Sequence, residues 1–122
     1  MIMHESAEMY LETIYLLHQR KTPVRAVDIA AEMGYSKPTI SEWMGKLRDG
    51  GYVTVEDGGI ELTKQGRDLA SKIYERHVLL TELLQSAGVD AETAAQDACR
   101  LEHYISDTTF ECLKNHYRGQ AD

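Results

Sequence analysis

A mainly α fold is predicted, with one short β-hairpin near the middle of the chain and helical patterning on either side of it. Three observations predict it. Apolar residues recur at three- and four-residue spacing over most of the 122 residues. Gly50-Gly51, Tyr52-Val53-Thr54-Val55, Asp57-Gly58-Gly59 and Ile60-Glu61-Leu62 follow one another in the order of a break, a strand, a turn and a returning strand. Ser, Thr and Asp stand where helices must start, and Gly where they must stop.

Composition sets bounds on function. With 43% hydrophobic and 27% charged residues the chain suits one soluble globular unit or two small lobes, and at this size oligomerisation supplements a modest core. No apolar run approaches the roughly 18–20 residues of a membrane span, and Met1-Ile2-Met3-His4-Glu5 lacks the basic-then-apolar order of a signal peptide, so a cytoplasmic protein is expected. In a reducing compartment Cys99 and Cys112 are expected as free thiols. A net charge of -7 argues against indiscriminate coating of nucleic acid or anionic lipid, while leaving room for a local basic face.

The first amphipathic helix is expected over Glu5 to Gln19, with Ala7, Tyr10, Leu11, Ile14 and Leu17 on its apolar stripe and Ser6 as its cap. Pro23 prevents its continuation. Val27, Ile29, Ala30 and Met33 mark a short helix ending at Gly34, a residue free to take the positive φ of a sharp turn. Ser36 then caps a helix with Pro38 at an early position and Ile40, Trp43, Met44 and Leu47 on its buried side. Two short helices around a tight Gly turn, the second opening with exposed Ser36, Lys37, Thr39, Ser41 and Glu42, have the layout of a helix-turn-helix. The hairpin that follows makes it a winged helix. Lys37 and Lys46, with Arg25 and Arg48 nearby, can offer a basic stripe to phosphate.

After the hairpin Thr63 caps a long helix carrying Leu69, Ile73, Leu79, Leu80, Leu83 and Leu84 to Ala87, where Gly88 closes it. Asp90 caps a helix with Ala94, Ala98, Leu101 and Ile105, and Ser106 or Asp107 caps a last one through Phe110, Leu113 and Tyr117. Three helical segments without a sheet are too little to close a core alone, and their apolar surplus is read as a dimer face. The division is expected as a winged-helix DNA-binding domain over 1–62 and a helical dimerisation and metal-binding domain over 63–122.

One stretch carries chemistry. On a helix, positions i, i+3 and i+4 are neighbours, so Cys99, Glu102 and His103 share a face and offer a thiolate, a carboxylate and an imidazole to one cation. The ordinary alternatives are a small core cysteine and a solvated Glu–His pair. Met9 and Glu12, three apart on the first helix, read by themselves as a core-edge Met and a solvated Glu. The chain has no phosphate-cradling Gly-rich loop and no flanked catalytic Ser or Cys, and no general base near the cluster is left over once the candidate ligands are counted, which argues against an enzyme.

Taken together, Glu8-Met9-Tyr10-Leu11 with Ile14-Tyr15, Ser36-Lys37-Pro38-Thr39-Ile40-Ser41, Arg76-His77 and Asp97-Ala98-Cys99-Arg100-Leu101-Glu102-His103 resemble the metal-dependent transcriptional repressors that include the diphtheria toxin repressor and the manganese transport regulator. The resemblance runs through nearly the whole chain. It implies a primary metal site of Met9, Cys99, Glu102 and His103, as in the iron-responsive branch, with His77 matching a ligand of both branches and Glu12 a ligand of the manganese branch. Thr81 and Ala95 stand where the iron branch has further ligands, and that branch's SH3-like domain is not expected. The DNA-contacting set implied by the pattern is Arg25, Ser36, Lys37, Pro38, Thr39, Ser41, Glu42 and Lys46.

The expected function is therefore a homodimeric repressor that binds a double-stranded operator when loaded with a divalent transition metal. Fe(II) is favoured by the soft donors Met9 and Cys99, Mn(II) is the alternative, and Co(II), Ni(II) or Zn(II) are expected to bind in vitro. A winged-helix regulator that ignores metal is the competing reading, separated from it by whether EDTA abolishes operator binding.

Overall fold

The computed structural model describes residues 2–121, with side chains from Ser6 to Gly119. Its elements, in chain order, are α1 (Ile2–His18), α2 (Ala26–Met33), α3 (Lys37–Asp49), β1 (Val53–Glu56), β2 (Gly59–Leu62), α4 (Lys64–Ser86), α5 (Ala91–Leu101) and α6 (Asp107–Ala121). They form two compact units, residues 1–72 and 73–122, with the division inside α4. The first turns of α4 thus stay with the wing, where Ala70 is fully buried in the first unit's core. Among the described residues no helix is long and apolar enough to cross a membrane.

In the first unit the apolar stripe of α1 packs as its spacing requires: Tyr10, Leu11, Ile14 and Leu17 join Ile29 of α2 and Ile40, Met44 and Leu47 of α3 in one core. The Tyr10 ring stacks on Trp43 of α3, with centroids 5.2 Å apart and planes at 30°. Helix α1 begins at Ile2, so Ser6 lies inside the helix rather than capping it. Of the apolar residues that mark α2, Ile29 is fully buried and Val27 is exposed. Between α2 and α3 Gly34 takes φ 75°, the left-handed cap, and its amide returns to the Ala30 carbonyl. The Ser36 side chain accepts from the Thr39 amide at 3.4 Å, and Pro38 stands just inside the helix, where a missing N–H costs nothing.

The hairpin is a two-residue one. Asp57 and Gly58 both have positive φ, the type I′ geometry that matches strand twist, and the register pairs Val53 with Leu62 and Glu56 with Gly59. β1 begins at Val53, one residue after the expected start, because the Tyr52 amide is committed to the Leu47 carbonyl of α3 at 2.9 Å. The base of the hairpin is a tight joint. Thr63 Oγ1 donates to the Gly51 carbonyl at 2.7 Å and receives the Gly66 amide at 3.1 Å, which caps α4 and ties it to the hairpin in one step.

The second unit contains the rest of α4, α5 and α6. Gly88 ends α4, Asp90 caps α5 by accepting from the Thr93 amide at 3.0 Å, and that donation holds the Asp90 carboxyl below the usual carboxylate range. Ser106, rather than Asp107, caps α6, accepting from the Thr109 amide at 3.1 Å. Ala94 and Ala98 form the buried face of α5, but the helix stops at Leu101, which is exposed, and Ile105 lies beyond it. The apolar spacing predicts that α5 runs on to Ile105, whereas the chain turns after Leu101, where the Glu102 and Ile105 carbonyls accept from Arg76 of α4.

Two glycines of similar sequence appearance have opposite roles here. A Cβ on Gly66 would come within 2.1 Å of the Tyr52 carbonyl oxygen, whereas one on Gly45, inside α3, would meet nothing within 4 Å. Gly66→Ala is expected to lower unfolding free energy by roughly 1–3 kcal/mol through overpacking against backbone, and Gly45→Ala to raise it by about 0.5–1 kcal/mol. Urea unfolding followed by circular dichroism checks both; equal effects would mean that the joint at Tyr52 relaxes freely.

Candidate metal centre and nucleic-acid interface

The donor atoms of Cys99, Glu102 and His103 lie within 4.8 Å of one another. They do not share a continuous helix face. Glu102 is the residue that terminates α5, and His103 sits in the following turn, where amides bond three residues back: His103 to the Arg100 carbonyl at 3.4 Å and Tyr104 to the Leu101 carbonyl at 3.1 Å. The tightened turn does what the helical spacing was expected to do, and brings the three donors together.

Burial grades the cluster from outside to inside. Cys99 is an exposed free thiol, while His103 is buried and Glu102 has 0% exposure. Glu102 Oε2 is bonded to His77 Nδ1 at 2.9 Å, and Oε1 faces His103 Nε2 at 3.3 Å. Oε1 accepts no hydrogen bond among the described residues. A buried carboxylate oxygen without a donor carries a desolvation penalty that a cation relieves. Sulfur, carboxylate oxygen and imidazole nitrogen are the donor types that first-row transition metals take, so these residues fit such an ion.

The turn is held from α4. Arg76, only 6% exposed, sits on the buried stripe between Ile73 and Leu80, a position that spacing alone would assign to an apolar side chain. Its Nη1 donates to the Glu102 carbonyl at 3.1 Å and to the Ile105 carbonyl at 2.7 Å, its Nη2 donates to Asp107 Oδ1, and the guanidinium lies 5.5 Å from the Phe110 ring centroid. Hydrogen bonds from a charged donor of this kind contribute roughly 1.5–3 kcal/mol each. In the sequence the signal of this role is a charge at a core position of an amphipathic helix.

The other expected ligands fall as follows. Met9 and Glu12, both half-buried, stand three apart on α1 in the first unit. Thr81, at the place of a further ligand in the iron branch, donates its hydroxyl to the His77 carbonyl at 2.7 Å, so that proton is committed to its own helix. Ala95 has no donor to offer.

On the first unit, Ser36, Lys37, Pro38, Thr39, Ser41, Glu42 and Lys46 are all exposed along α3. They are not equivalent. Thr39 Oγ1 is 2.9 Å from Ser36 Oγ within the cap, and Lys46 Nζ lies 4.5 Å over the Trp43 ring and 3.4 Å from Glu42, so part of its charge is answered within the helix. Arg25, also exposed, is tied to the wing: its Nη1 donates to the Asp57 carbonyl at 3.2 Å at the hairpin tip, and its amide donates to Asp28 Oδ2 at 2.9 Å. The Lys21 ammonium and that amide hold the Asp28 carboxyl below the usual range.

Comparison with known proteins agrees with both halves of this arrangement. Residues 2–59 match the family model described as iron dependent repressor, N-terminal DNA binding domain, and residues 63–118 match iron dependent repressor, metal binding and dimerisation domain. The chain is 39% identical over 106 residues to the diphtheria toxin repressor of Corynebacterium diphtheriae, covering 84% of this chain and 46% of that protein. It is 32% identical over 111 residues to the transcriptional regulator MntR of Escherichia coli, covering 90% of this chain and 72% of that protein. Among solved structures it is similar to the manganese regulator SloR, with a TM-score of 0.80 and 33% identity over 92% of this chain and 53% of that one. It thus spans about half the length of two of these relatives. A winged-helix unit followed by a helical unit with a Cys–Glu–His donor cluster, matched over both parts by these models, places the chain in the iron-dependent repressor family, a family of DNA-binding regulators and not of enzymes.

Proposed function

We propose that this protein is a metal-activated, homodimeric transcriptional repressor that senses Fe(II) in the cytoplasm and controls genes of metal homeostasis. The observation that carries the reading is the convergence of Cys99, Glu102 and His103 donors within 4.8 Å around a fully buried carboxylate. Met9, Glu12 and His77 complete the proposed ligand set. A bound ion supplies positive charge and coordination bonds, and the chain's own residues do the rest. Cys99 and Met9 select against hard cations, and Glu102 is held by His77 in the orientation that presents Oε1.

Regulation follows from where the proposed ligands reside. Met9 and Glu12 lie on a helix of the DNA-binding unit, while His77, Cys99, Glu102 and His103 belong to the second unit. Ligation by residues of both units favours one relation between them, and in a dimer it is this relation that sets whether two α3 helices meet successive major grooves about 34 Å apart. We assign the dimer face to the second unit, where Val78, Leu101 and Tyr104 expose apolar surface that includes no proposed ligand. Mn(II) is the second reading, supported by Glu12 and by similar solved structures named as manganese regulators.

Four outcomes are expected. Anaerobic anisotropy of a labelled operator should show binding with Fe(II) at lower free metal than with Mn(II), and none in EDTA. Operator affinity indifferent to EDTA would remove the metal from the mechanism; a preference for Mn(II) that Met9→Ala leaves unchanged would remove iron. Met9→Asp combined with Cys99→Glu should shift activation toward Mn(II), since the set becomes mainly oxygen donors. Lys46→Ala should weaken binding to all sequences and reduce the salt slope by about one ion, and an unaltered slope would strike Lys46 from the phosphate contacts. Sedimentation should find dimers with and without metal at one protein concentration; monomers in EDTA would place the coupling in assembly instead.

A further inference from the structure

We infer that Arg76 is the positioning residue of the metal centre, through the turn that it builds under Glu102 and His103. The inference rests on the metal-binding reading above. α5 ends at Leu101, whose carbonyl takes the Tyr104 and Ile105 amides at 3.1 and 3.0 Å, and among the described residues the carbonyls of the turn beyond it receive no backbone amide. Arg76 supplies the missing donors at two of them, Glu102 and Ile105, from a place 26 and 29 residues away in sequence. The next residue, His77, holds the Glu102 carboxylate at 2.9 Å. The dipeptide Arg76-His77 thereby grips one ligand twice, once by its backbone and once by its side chain.

Charge alone does not explain the choice of residue. Two carbonyls and the Asp107 carboxylate lie around the buried guanidinium, and a planar fork with five donors serves all three at once. A lysine ammonium is a single point and cannot span them. Without the fork, the Glu102 and Ile105 carbonyls must turn toward water, and the Glu102 carboxylate and His103 ring, which hang from the same short segment, turn with them. The ion pair to Asp107 is separable from this role, because the Asp107 side chain is 69% exposed and anchors the start of α6, not the turn.

The test compares Arg76→Lys, Arg76→Gln and Asp107→Asn. In protein freed of metal with EDTA, hydrogen exchange of the Glu102, His103, Tyr104 and Ile105 amides should speed up at least about tenfold in both Arg76 variants, with core amides such as Ile14 and Ile40 unchanged. Anaerobic titration with Co(II), followed by its thiolate charge-transfer and ligand-field absorption, should show about 10–100-fold weaker binding and an altered spectrum in the Arg76 variants. Asp107→Asn should keep the wild-type exchange and spectrum. Wild-type turn exchange in the Arg76 variants, an Asp107→Asn protein that reproduces their effect, or exchange accelerated throughout both Arg76 variants would each overturn the assignment. A wild-type protein with no Co(II) spectrum would instead overturn the metal reading, and the exchange data would still decide what Arg76 does to the turn.

Discussion

A carboxylate with no exposure to water, Glu102, is the constraint around which the second unit is arranged. Burying an ionised group costs several kcal/mol unless hydrogen bonds or opposite charge offset it. Here a His77 nitrogen takes one oxygen, the other faces His103, and the carboxylate's own backbone is clasped by a guanidinium that is itself almost wholly buried. These contacts offset part of that cost, and Oε1, which accepts no hydrogen bond among the described residues, keeps the rest. An apolar core would be simpler to fold, and a polar one suits the metal-binding role that we propose for this segment.

The first unit solves a different problem, which is to hold an exposed helix rigidly on a small core. Helix α3 buries Ile40, Met44 and Leu47 and stacks Trp43 on Tyr10, which leaves its other face free for polar side chains. Because Tyr10 follows Met9 directly, the same helix that offers a proposed ligand also seats the helix proposed to meet DNA. The wing is fastened at both ends, by Arg25 at the tip and by Thr63 and Gly66 at the base.

Its charge is distributed for selectivity over strength. A protein of net charge -7 approaches DNA against its own field, and the contact proposed here rests on the local group of Lys37, Lys46, Arg25 and Arg48. Even there Glu42 lies 3.4 Å from Lys46, and Arg25 spends one donor on the wing. Weak non-specific attraction is what a regulated repressor requires, since the affinity that remains must come from geometry, and geometry is what a ligand can change.

Most elements, their caps and the hairpin could be read from the sequence, because each depends on residues a few positions apart: Ser36 before Pro38, Gly34 after Met33, Asp57-Gly58 between two short strands. The cluster Cys99, Glu102, His103 was legible for the same reason, and so was the two-part division into a winged helix and a helical unit. What the tertiary structure alone decided involves partners far apart in the chain. The carbonyl of Glu102, where α5 ends, accepts from Arg76, 26 residues earlier in sequence, and the need for glycine at position 66 depends on the Tyr52 carbonyl. Helical spacing cannot report such contacts, because a guanidinium on a core stripe or a backbone pressed against a helix leaves the local pattern unchanged and alters only what surrounds it.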